Sequence, residues 1–69
     1  MAYEIIEFTG LWPYARKSVV ATADSLASAI ALARTTFHVI DLEIDALNPR
    51  CADFFTACGR VMQIEPCAA

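Results

Sequence analysis

Two glycines, Gly10 and Gly59, and one histidine, His38, are all that this chain holds of either residue. That scarcity removes whole classes of chemistry. Phosphate-cradling loops, the dinucleotide fingerprint, the kinase signatures and the G-x-S-x-G elbow need glycines at close spacing, and H-E-x-x-H needs two histidines on one helix face. Basic residues are few as well. Arg16, Lys17, Arg34, Arg50 and Arg60 stand against eight carboxylates, for a net charge of −3. They form no positive stripe to neutralise phosphates, so nucleic acid is not an expected partner.

Long apolar runs are also missing. The most apolar window, SVVATADSLASAIALA, is broken by Asp24 and falls short of the ~18 residues of a spanning helix. The stretch MAYEIIEF carries Glu4 and Glu7 where a secretion signal would carry positive charge. The expectation is a soluble, cytoplasmic protein without a membrane partner. Cys51, Cys58 and Cys67 are odd in number, and their spacing matches neither C-x-x-C nor the common zinc patterns. No disulfide framework, metal or cofactor is expected, and no catalytic residue stands out.

What the chain has in excess is apolar surface. Of its 69 residues, 58% are hydrophobic and 19% charged, against roughly 45–50% and ~25% in ordinary globular domains. One domain covering residues 1–69 is expected, near the lower size limit for independent folding. So short a chain cannot hide that much apolar surface within itself. Self-association as a dimer or higher oligomer, or binding to a protein partner, is the economical inference.

The punctuation by Gly10, Pro13, Pro49, Gly59 and Pro66 divides the chain. YEIIEF (3–8) and KSVVATA (17–23) read as strands of an antiparallel pair, with TGLWPYAR as a wide connecting loop. Asp24 reads as the N-cap of a helix, SLASAIALARTTF, whose Leu26, Ala29, Ile30, Ala33 and Phe37 recur at helical spacing. VIDLEID alternates, with Ile40, Leu42 and Ile44 inward and Asp41, Glu43 and Asp45 outward. Asn48 and Pro49 then open a short second helix, RCADFFTAC, with Gly59 after its end. RVMQIE (60–65) closes the pattern as a strand. The resulting expectation is a two-layer α+β domain of order ββαβαβ, in which a four-stranded sheet packs against one long amphipathic helix and one short one.

Four groups of residues qualify as candidate sites. On the outer face of the long helix, Ala27, Ser28, Ala31, Leu32 and Thr35 bear no charge, and a helix apolar nearly all round is normally buried, which points to a surface packed against it. Trp12 and Tyr14, in the loop after Gly10, read either as a lid on a small core or as interface anchors. Cys51, in the first turn of the expected second helix beside Arg50, is the candidate reactive thiol. Otherwise it is a small buried hydrophobe. Asp41, Glu43 and Asp45 read as a solvated strand face, as an electrostatic contact for a basic partner, or as part of a metal or acid/base site. Carboxylates at every second strand position project in parallel, roughly 6–7 Å apart, so a metal would need acids from a neighbouring strand.

VVATADSLASAIALAR (19–34) resembles the strand-to-helix part of HicB-type antitoxins. The resemblance covers about a quarter of the chain and carries no site residue across. Three functions follow as expectations: a self-associating protein-interaction domain first, then a small-molecule or metal-dependent activity near His38, Cys51 and the acidic strand, or an antitoxin-like regulator.

Overall fold

Period-two alternation governs more of this chain than its punctuation suggests. The computed structural model describes residues 2–10 and 16–67, so Trp12 and Tyr14 lie outside the described residues. Five strands, β1 (Tyr3–Thr9), β2 (Arg16–Ala23), β3 (Val39–Ile44), β4 (Ala52–Thr56) and β5 (Val61–Pro66), build one sheet, and α1 (Leu26–Thr36) lies between β2 and β3 in the chain. The strands run in the order β2-β1-β5-β4-β3, with every neighbouring pair antiparallel. Edge strands β2 and β3 are therefore joined by a helix that carries the chain across one face of the sheet, where it packs on β1, β2 and β5.

This overturns the expected four-stranded sheet with two helices. Residues 50–58 form a strand and a turn. In β4, Ala52, Phe54 and Thr56 are buried while Asp53 and Phe55 are exposed, the alternation of a strand whose two faces meet different environments. Asn48 caps no helix. Its side-chain Oδ1 accepts from Arg50 N, and its carbonyl accepts from Cys51 N at 2.9 Å, so Asn-Pro opens a turn into β4. Gly59 keeps the positive φ expected of it, +86°, but uses it in the β4–β5 connection, where Gly59 N–H donates to Thr56 O.

The helix begins one residue later than expected. Ser25, not Asp24, is the N-cap, with its Oγ accepting from Ser28 N at 3.0 Å. Arg34 stands in the last turn, where a cation complements the helix dipole. Ala29 and Ala33 are fully buried, and residues this small let the helix approach the sheet closely. They join Ile5, Ala52, Phe54, Met62 and Ile64 in one core, with Leu26, Ile30, Leu32 and Phe37 partly buried against it. Leu32 thus leaves the expected outer face and packs inward, while Ala27, Ser28, Ala31 and Thr35 stay exposed.

The acidic strand is also less regular than its sequence. A register shift falls between Val39 and Asp41, and the extra residue, Ile40, is 69% exposed. Leu42 packs toward the core as expected, but Val39 takes the inward place assigned to Ile40. Asp45 lies beyond the end of β3, and its Oδ1 accepts from Leu47 N at 2.9 Å. It organises a turn and takes no part in the face that carries Asp41 and Glu43.

Neighbouring phenylalanines on opposite faces give a direct test of β4. Phe54→Ala should cost about 3–5 kcal/mol, most of the stability of so small a domain, whereas Phe55→Ala should cost well under half as much. Urea denaturation of the two variants measures both. Equal losses would contradict the strand.

Candidate functional site

The two faces of the sheet are covered differently. Directly opposed residues of an antiparallel pair share a face, so the register sets out the side away from the helix row by row. One row reads Lys17, Phe8, Val61, Phe55, Asp41 across all five strands. The next reads Val19, Ile6, Gln63, Asp53, Glu43, and a third holds Thr22, Glu4 and Glu65. No described helix or strand lies over these rows. Val19, Phe55 and Val61 are 52%, 51% and 44% exposed, so part of the apolar excess of the sequence emerges on this face, and Ile40, Ile44 and Leu47 expose more of it along β3 and in the turn beyond it.

Charge is concentrated on the same face. Glu4, Asp41, Glu43, Asp53 and Glu65 are five of the eight carboxylates, and Lys17 is the one basic residue among them. The rest of the chain holds four arginines and three carboxylates and is close to neutral. Two cross-strand pairs oppose like charges, Glu4 with Glu65 and Asp53 with Glu43. Asp53 itself opposes Gln63 on its other side. Such pairs destabilise an isolated sheet. Lys17 relieves one of them, with Nζ 3.0 Å from Glu65 Oε1. That bridge runs from β2 to β5 and has to cross β1, so the lysine stem lies over the strand on which Ile6 is fully buried without belonging to the helix-side core.

Cys51 lies at the acidic end of this arrangement. It is buried, and its thiol is pushed up from its ordinary value by burial first and then by the carboxylates of Glu65, Asp45 and Asp53, with Arg50 opposing. These surroundings disfavour a thiolate. Cys67 is raised too, by burial and by a hydrogen bond and charge from Glu4. Among the described residues, no group of three or more His, Cys, Asp or Glu could hold a metal ion. The acids of the open face stand in parallel rows and do not converge.

His38 is held at the opposite end of β4. Ala57 N–H donates to its carbonyl at 2.8 Å, and it lines a cleft of about 290 Å³ with Thr36, Phe37, Thr56, Ala57, Cys58 and Arg60. The structure therefore brings His38 together with Cys58, and leaves Cys51 at the other end of β4. Thr56 Oγ1 lies 3.3 Å from Cys58 Sγ and accepts from Arg60 N at 3.0 Å. Arg60 is already engaged: its Nε and Nη2 donate to the two Glu7 carboxylate oxygens at 2.8 and 2.6 Å, and its guanidinium lies 4.9 Å from the Phe37 ring centre. The Arg60 hydrogen bond holds the Glu7 carboxyl below its ordinary value of 4.5. The cleft thus offers mostly spent polar groups, and its part in the molecule is to lock the end of the helix to β1 and β5. No helix of the described residues is long and apolar enough to cross a membrane.

Two outcomes follow. A carboxyl with a lowered folded-state pKa adds stability in full above pH 4.5, and that share is lost as pH falls through the lowered value. Glu7→Gln should therefore flatten the acid limb of the stability–pH profile, as followed by circular dichroism. In a thiol titration of the folded protein, exposed Cys58 should react first, ahead of Cys51 and Cys67, and Cys58→Ser should remove the fast phase. A fast phase surviving in that variant would contradict the burial described above. No protein-family model, curated protein or solved structure matches this chain.

Proposed function

We propose that this chain is a protein-interaction domain whose working surface is the open face of its sheet, and that its partner is a protein segment both basic and apolar. One observation carries the reading: exposed Phe55, Val61 and Val19 share a face with five carboxylates and a single lysine. Apolar contact would supply affinity and the acids would select and steer a cationic partner. A cation seated between Asp53 and Glu43 would also relieve the repulsion that the free domain tolerates. A second copy meeting this face with its own would set acid against acid, which disfavours face-to-face self-association.

The antitoxin-like expectation falls within this reading, as a regulator that masks a basic partner. A small-molecule or metal-dependent activity draws less support, because His38 and Cys51 lie at opposite ends of β4 and, among the described residues, no three His, Cys, Asp or Glu gather into a metal site.

A synthetic peptide alternating lysine with valine serves as the probe in an NMR titration. Shifts should gather on Phe8, Phe55, Val61, Asp53 and Glu43, and binding should weaken as salt rises. Perturbation of the helix face alone, or none, would overturn the reading. Glu43→Lys should weaken peptide binding while raising the thermal midpoint, a divergence that damage to the fold would not produce.

A further inference from the structure

The sheet has two edges, and they are chemically unequal. On β3, Asp41 and Glu43 occupy successive open-face positions. Pairing this strand antiparallel with its own copy, with faces matched, sets carboxylate against carboxylate in every overlapping register, which is destabilising. On β2 the open-face residues are Lys17, Val19 and Thr22, which oppose Phe8, Ile6 and Glu4, and Arg16, Ser18, Ala21 and Ala23 face the helix side. This edge strand carries no carboxylate. Its Val19 and Val20 are exposed, at 52% and 38%.

We infer that β2 is a self-pairing edge, through which two copies of this chain join antiparallel into one ten-stranded sheet. The register is set by the bulge at Val20, where the β1–β2 pairing steps from Ile5–Ala21 to Ile6–Val19. That extra residue switches the alternation, so Lys17 and Thr22 lie on the same face. Placing Lys17 opposite the partner's Thr22 then puts Arg16 opposite Ala23, Ser18 opposite Ala21, and Val19 opposite Val20 at the two-fold axis. Every residue whose face the β1–β2 register sets then meets one of its own face, apart from Val19, which meets the bulge residue Val20, and the bulges of the two strands meet each other.

Charge agrees with this register. Arg16 begins the strand and Asp24 follows its end, and neither has an ion pair with another described residue. Antiparallel pairing brings each Arg16 beside the partner's Asp24, twice by symmetry. Bulges and lysines commonly guard an edge against such pairing, but the Lys17 ammonium is turned back across β1 to Glu65 and does not project over the edge. Asp41, Glu43 and Asp53 of each copy lie on β3 and β4, far from the axis, and Glu4 is separated from it by β2, so joining the edges does not set carboxylate directly against carboxylate. The pairing stands apart from the open-face reading and leaves that face free.

Sedimentation velocity over micromolar concentrations tests it by charge exchange. The wild-type chain should dimerise. Arg16→Asp alone and Asp24→Arg alone should each weaken the dimer about tenfold, and the double exchange should restore it, since each reversed residue then meets a reversed partner. Circular dichroism verifies that all four proteins fold. A wild-type monomer throughout the range, or a dimer that ignores the single changes, overturns the inference. So does a double exchange that remains as weak as the single ones. Peptide binding to the open face should persist in a dissociated variant, which separates failure of the edge from failure of the face.

Discussion

A helix of eleven residues is about 16 Å long, whereas five strands set at their usual spacing span about 19 Å between the outer two. One such helix can cover most of one side of the sheet and none of the other. The remaining features follow from that imbalance. Ala29 and Ala33 bring the helix close enough for Ile5, Phe54, Met62 and Ile64 to be sealed beneath it, and the Glu7–Arg60 fork with Phe37 closes its end. Among the described residues no helix covers the second side, where Ile6 alone is fully buried and the rest of what the alternation places there is partly or wholly exposed. In this sequence that is a mixture of valine, phenylalanine and carboxylate.

Much of the core could be read from the residues alone. YEIIEF and KSVVATA are β-branched and aromatic, and the helical spacing from Leu26 to Phe37 is unambiguous. RCADFFTAC was not decidable in the same way. Asn-Pro before it and glycine after it serve a helix or a strand equally well, and nine residues are too few for a period to stand out. What settles the matter is tertiary: β4 has neighbours on both sides, Leu42 against Phe54 and Phe54 against Met62. Its Ala-Asp-Phe-Phe-Thr alternation was present in the sequence and was outweighed by the capping signals. The same is true of Ser25, one position beyond an equally good capping residue.

The candidate surface was legible in part. Alternation placed Asp41 and Glu43 on one side of their strand, but it could not show that Asp53, Glu65 and Glu4 share that side, because this depends on strand order. Nor could it show that Asp45 leaves the row to organise a turn. The uncharged stripe on the helix pointed to an interaction surface. In the structure its largest member, Leu32, packs on the core, and the exposed remainder consists of small side chains. Composition gives the apolar excess but no position for it, and the fold distributes what stays exposed over the sheet face, the edge strand β3 and the turn at Leu47.

The order β2-β1-β5-β4-β3 places β1 between its neighbour in sequence and the strand farthest from it, with Tyr3 paired to Pro66 and Phe8 to Val61. Hairpins β1–β2 and β4–β5 are local and can form quickly, but the ladder that joins them closes a loop of nearly the whole described chain. Its entropy cost falls before any of its contacts are made. The rate at which this domain acquires its structure is therefore governed by one encounter, between β1 and β5, and until that encounter Ile5 and Ile64 remain in water on separate halves of an unfinished sheet.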